Sequence, residues 1–136
     1  LSNNTVTDNV NGLMWTASAP DADIGPDNDG KLYWLDDVND EDIFDYCDAA
    51  NAANLAGHND WQVPNVKELI SIINFSLNNP CWDSTYFNDV AIGNYWSSST
   101  IYTTYGKFAN FQTGVIETKA KITHKLYCRL VRGGNY

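Results

Sequence analysis

The chain has 136 residues, 43% of them hydrophobic, which suits one domain with a real core and is too short for two ordinary ones. Eight basic residues against seventeen acidic ones give a net charge of −9, which argues against a general nucleic-acid binder. No apolar run reaches the ~18 residues that a membrane-spanning helix needs, so no membrane insertion is expected.

In chain order, Thr5-Val6-Thr7-Asp8 leads through Asn9-Val10-Asn11-Gly12 into Leu13-Met14-Trp15. The Asn-Gly pair between β-prone runs predicts a tight hairpin turn. Residues 16–31 read as a loop rich in Pro, Gly and Asp. A first helix is predicted to start near Asn39, with Asp40, Glu41 and Asp42 at the positive end of its dipole. Its apolar face is Ile43, Phe44, Cys47, Ala50 and Leu55, and Gly57 is its stop. A second helix is announced by Asn65 as a cap with Glu68 three residues on, and Pro64 just outside. Val66, Leu69, Ile70 and Ile73 form its apolar stripe. Residues 74–94 read as irregular, with Asn78-Asn79-Pro80 and Gly93 as turn signals. Strands are predicted at Tyr95–Ser99, Lys107–Gln112, Val115–Lys119 and Lys125–Val131, with a turn at Thr113-Gly114. Strand, helix, helix, long loop and strands make a single α+β domain over residues 1–136.

The charge is unevenly spread. Residues 1–106 hold two basic groups, Lys31 and Lys67, against sixteen acidic ones, whereas residues 107–136 hold six basic groups against Glu117 alone. A basic end hints at an anionic partner; equally, the basic strands could neutralise the acidic half. Charged residues are only 18%, and Asn occurs seventeen times, a surface style more familiar outside the cell. The opening Leu1-Ser2-Asn3 suggests a domain excised from a longer surface protein.

Three sets of residues carry chemistry. Asp21, Asp23, Asp27 and Asp29 offer oxygens at alternate positions of a flexible loop, which suits Ca²⁺ although the EF-hand spacing is not matched; a solvated acidic loop is the alternative. Three cysteines are an odd count. If the first helix and the last strand are neighbours, a Cys47–Cys128 bond would close a long loop and add ~4 kcal/mol on a chain-entropy view. Cys81 would then be inert, would pair between chains, or would act as a nucleophile needing a base from His58 or His124. Finally, Tyr102, Thr104 and Tyr105 form a hydroxyl-rich aromatic stretch near Lys107, Lys119, Lys121, His124 and Lys125. Aromatic faces pack on the apolar face of a sugar, and the basic groups would recognise sulfate or carboxylate.

Several pieces in order resemble the C-terminal domain family of the Legionella collagen-like adhesin. Thr5–Trp15 resembles the family's "TVTDN-x-TGLMW", and Asp60–Leu69 its "DWRLPNxKEL" with Gln62 in place of Arg. Tyr46-Cys47, Thr85-Tyr86-Phe87, Tyr95–Ser99 and Cys128–Gly133 continue the pattern, with Leu130 for the usual Val. The resemblance implies a C-type-lectin-like fold: two helices on curled antiparallel strands, termini close together, and a disulfide mapping onto Cys47 and Cys128. It implies a non-enzymatic adhesion module at the bacterial surface or outside the cell. Its partner would be a polysaccharide or host glycan, sulfated in the family's adhesin, which binds as a homotrimer. The alternative is a protein receptor, since some relatives are diversified by retroelements for ligand contact. The acidic loop is unusual for the family, so calcium would belong to this member alone.

Overall fold

The computed structural model describes residues 5–17, 29–35, 42–87 and 92–133. The β1 strand, Thr5–Thr7, pairs antiparallel with β2, Leu13–Thr16. The expected hairpin is present, but its turn is longer than the Asn-Gly pair alone would make. Asp8 organises it: its carbonyl accepts from Gly12 N, its Oδ1 accepts from Val10 N, and Gly12 absorbs the positive φ of 75°. A short β3, Leu32–Tyr33, was not foreseen.

The first helix, α1, runs Ile43–Ala52, later and shorter than predicted. Its cap is Asp42, whose Oδ1 accepts from Phe44 N and Asp45 N, while Asp45 Oδ2 accepts from Asp42 N. The proposed start at Asn39 lies outside the described residues. Leu55 falls beyond α1 in a 3₁₀ turn, Leu55–Gly57, which Gly57 ends at φ 82°. The second helix, α2, spans Val66–Ser71 and bears out the predicted cap: Asn65 Oδ1 accepts from Glu68 N at 2.8 Å and Glu68 Oε1 accepts from Asn65 N at 2.9 Å. With fewer than two turns the helix buries only part of the predicted stripe. Leu69 and Ile73 are buried, whereas Ile70 is exposed.

The remaining strands are β4 (Asn94–Ile101), β5 (Tyr105–Asn110), β6 (Val115–Ala120), β7 (Lys125–Leu126) and β8 (Val131–Gly133). The predicted Lys125–Val131 strand is thus split in two, because its halves pair in different places: β7 with β3, and β8 with β2. The first and last strands, β1 and β8, flank β2, so the two ends of the described chain share one sheet.

Strands β4, β5 and β6 form the central antiparallel sheet, and the two-residue period of a strand gives it a core on each face. Trp96 and Phe108, paired across β4 and β5, pack with Ile43, Cys47 and Ala50 of α1. Their neighbours Tyr95 and Ala109 face the other way, onto Leu69 of α2, Trp15, Trp82 and Phe111. Residues 94–101 contain a register shift between Trp96 and Thr100. The serines there satisfy the disturbed backbone: Ser97 Oγ donates to Lys107 O at 2.8 Å, and Ser99 Oγ accepts from Val66 N at the start of α2. The serine run therefore couples sheet to helix. The architecture is mixed α+β, two helices with antiparallel sheets, as expected.

Candidate functional site

The β4–β5 connection, residues 102–104, and the β6–β7 connection, residues 121–124, meet at one end of the central sheet. Lys121 N donates to Thr104 O at 3.0 Å, and Lys121 Nζ donates to Thr103 O at 3.1 Å. This joined tip exposes Thr103, Thr104 and Tyr105, and presents Tyr102 to solvent at 81% exposure. Tyr102 holds a φ of 56°, a left-handed conformation that costs a non-glycine residue roughly 1 kcal/mol. His124 is exposed beside them, its Nδ1 3.0 Å from Thr123 Oγ1. Two apolar neighbours were missed: Ile101 at the end of β4 and Ile122, which is 65% exposed. Isoleucines beside a polar turn were the available signal.

Of the lysines, only Lys107 shares a face with these residues. Lys107 pairs with Thr118 and projects with Tyr105, half-buried. Lys119 lies opposite Gly106 on the reverse face, its Nζ 5.4 Å from the Phe108 ring centroid. Lys121 is buried, with its ammonium 3.8 Å above the Trp34 ring. Trp34 in turn donates its indole N–H to Ser97 O at 2.9 Å, so the lysine sits on a fixed aromatic plate.

Lys125 pairs with Asp29 at 3.1 Å. Burial alone would raise the Asp29 carboxyl. It is outweighed by hydrogen bonds from Lys125 and from Lys31 N, and by the two lysine charges, and the carboxyl is held below its ordinary value. Of the four acidic-loop residues suggested for calcium, Asp29 is therefore engaged by a lysine, while Asp21, Asp23 and Asp27 lie outside the described residues. Among the described residues no three or more His, Cys, Asp or Glu side chains gather as a metal cluster would require. Arg132 clasps Asp60 in the same internal manner, Nη2 to Oδ2 at 3.1 Å, and its hydrogen bond pulls the Asp60 carboxyl down.

The disulfide implied for Cys47 and Cys128 is not formed; all three cysteines are free thiols. Both residues do join the same core, as α1 and the segment before β8 require. Their sulfurs are occupied differently: Cys47 Sγ donates to Trp61 O at 3.2 Å, and Cys128 Sγ reaches toward Arg129 O at 4.0 Å. Burial, with the charge of Asp48, pushes the Cys47 thiol up to about 11. Burial likewise pushes Cys128 up. Cys81 is buried in the other core, while His58 stacks edge-on to Trp61 and His124 stands at the tip.

A concave region apart from the tip was not visible in the sequence. Between the β1–β2 turn, the end of α2 and the 83–87 turn lies a cleft of about 500 Å³. Phe75 (71% exposed) and Tyr86 (60% exposed) line it together with Asp8, Asp83 and Asn74, over the buried Trp15. These residues come from three separate segments, and no local spacing joins them. No helix among the described residues is long and apolar enough to cross a membrane.

No curated protein matches the chain. The pattern of the Lcl C-terminal domain matches residues 4–132, nearly the whole chain, and the chain belongs to that family, an adhesin-associated module.

Proposed function

We propose that the chain is a non-enzymatic, extracellular binding module on a C-type-lectin-like fold, which recognises a polysaccharide or host glycan through the tip of residues 101–105 and 122–124. The observation that carries this reading is Tyr102, a bulky aromatic held in a left-handed conformation yet almost wholly in solvent. Such local strain is tolerated where the surrounding fold fixes it, and here the two hydrogen bonds from Lys121 fix the connection. Tyr102 and Tyr105 supply faces for the apolar side of a sugar, and Thr103, Thr104 and His124 supply partners for its hydroxyls. Two helices, antiparallel sheets and a sheet shared by the first and last described strands support the fold assignment. Kinship with an adhesin domain supports the surface role.

The positive charge contributes less than the sequence suggests, because Lys121 and Lys125 already have internal partners. Sulfate therefore adds modest affinity, through Lys107 on the tyrosine side of the sheet. The test is binding of a sulfated and a neutral polysaccharide at low and high salt, with Tyr102→Ala alongside. Retained binding of the sulfated polysaccharide in Tyr102→Ala refutes the tip. The exposed Ile101 and Ile122 favour a second reading, in which the same tip docks a protein receptor. Absence of binding to either polysaccharide, with capture of one receptor lost in Ile122→Ser, would establish that second reading instead.

A further inference from the structure

We infer that the cleft between the β1–β2 turn and the 83–87 turn is a second binding site, which takes one neutral sugar ring. Its volume of about 500 Å³ lies within the ~300–1,000 Å³ of small-molecule sites. Two large aromatic rings, Phe75 and Tyr86, stand exposed at its margin rather than packed in the adjoining core. Phe75 is backed by the β5–β6 turn, where a Cβ on Gly114 would come within 3.4 Å of its ring. The ring is thus supported from behind and open in front, as a stacking platform requires.

The polar groups decide what the platform would hold. Asp8 uses Oδ1 on Val10 N at 2.8 Å, and Asp83 uses Oδ1 on Thr85 N at 2.9 Å. Asn74 uses its Oδ1 on Ser76 N and Ser76 Oγ. The turns therefore consume one oxygen of each group and leave the second carboxylate oxygens as acceptors and the Asn74 amide as a donor. No lysine or arginine lines the cleft among the described residues. Two uncompensated carboxylates repel a sulfated or carboxylated ligand. An ammonium ion would satisfy the carboxylates and leave the amide donor without an acceptor. A ring of hydroxyls donates to the carboxylates, accepts from the amide and stacks its C–H face on Phe75 or Tyr86, so it alone meets every group. The cleft adjoins the β5–β6 turn, whereas the Tyr102 tip lies at the opposite end of β5. Five residue steps separate Tyr105 from Asn110, roughly 17 Å at ~3.3 Å each, so the two sites are independent.

Saturation-transfer NMR on the full chain, with the methyl glycosides of mannose, galactose and glucose as probes, tests the assignment. At least one of the three is expected to bind weakly, in the millimolar range. Affinity should fall at least tenfold in Phe75→Ala and in Asp83→Asn, which keeps the Thr85 turn acceptor, and stay unchanged in Asp48→Asn on the exposed side of α1. Tyr86→Ala gives a second aromatic test should Phe75→Ala disturb the β5–β6 turn. No transfer to any of the three glycosides, equal binding by the cleft variants, or preferential binding of tetramethylammonium would overturn the proposal. Because the cleft is read in Phe75→Ala and Asp83→Asn and the tip in Tyr102→Ala with the sulfated polysaccharide, each reading can fail without the other.

Discussion

Lys121 separates a structural from a ligand-binding account of the basic end, and replacing it with alanine tests which is right. The side chain donates a charged hydrogen bond to Thr103 O and rests over the Trp34 ring. A hydrogen bond from a charged donor contributes ~1.5–3 kcal/mol net, and a shielded cation over an aromatic face ~1–2 kcal/mol. Against these, alanine recovers up to ~2 kcal/mol of side-chain entropy. The balance is a loss of about 2 kcal/mol. Unfolding entropy near ~2.1 cal/mol/K per residue amounts to about 0.3 kcal/mol/K for 136 residues, so the melting temperature should fall by ~7 °C. Calorimetry on Lys121→Ala, Lys121→Met and Lys107→Ala reads the effect. Methionine keeps the stem and removes the charge, so it should lie between wild type and alanine; Lys107, which has no ion pair among the described residues, should shift by less than ~2 °C. If Lys121→Met melts with the wild type yet loses sulfated polysaccharide, the ammonium serves a ligand and the structural account is wrong.

Asn51 bonds both polar groups of the Trp61 peptide, Nδ2 to Trp61 O at 2.9 Å and Trp61 N to Oδ1 at 2.7 Å. Asn51→Ala should lower stability by about 2 kcal/mol in urea unfolding, and a loss below ~0.5 kcal/mol would show that water replaces the side chain. Asp29 and Asp60 have folded-state carboxyls depressed below the ordinary 3.8. Their contribution is complete above that value and is lost as pH falls through the lower folded values. Arg132→Gln should flatten the acid limb of a stability–pH curve, and an unchanged limb would count against the Asp60 pair. All three thiols are buried, and burial raises the pKa of Cys47 and Cys128, so an aromatic disulfide reagent at pH 8 should find the native chain inert and three thiols after unfolding without reductant. Fewer than three would mean that a bond had formed.

Features fixed by neighbours in sequence were the legible ones. The α2 cap was readable because Asn65 and Glu68 lie three residues apart and complete each other's hydrogen bonds. The start of α1 was placed too early because Asn39, with Asp42 three residues on, offers the same capping spacing as Asp42 with Asp45, and it is the second pair that caps the helix. Pairing partners were the hidden part. Nothing within Lys125–Val131 says that one end meets Leu32 and the other Trp15. Tyr102 and its neighbours could be marked as exposed polar aromatics, but the inward turn of Lys121 depends on Trp34, far earlier in the chain. The cleft required three distant segments to meet, and its aromatics carried no periodic pattern.

The charge asymmetry is where sequence and structure pull hardest against each other. Six basic residues in the last thirty suggested a cationic face for sulfated chains. Folding disperses them: Lys125 goes to Asp29, Arg132 to Asp60, Lys121 to the Trp34 ring, and Arg129 is fully buried among Trp82, Phe87 and Tyr95. The acidic and basic portions thus neutralise one another across the sheet edges, and the net charge of −9 remains on the surface as a whole. At physiological ionic strength that field fades over ~8 Å, so it discourages polyanions near the body of the domain while a projecting tyrosine still reaches them. Selectivity then rests on stacking and hydroxyl recognition rather than on ion pairing, and binding at the tip should weaken only shallowly as salt is raised. A steep decline, by more than about tenfold between 50 and 200 mM salt as polyelectrolyte binding gives, would require the lysines to leave their internal partners and would return the basic strands to the centre of recognition.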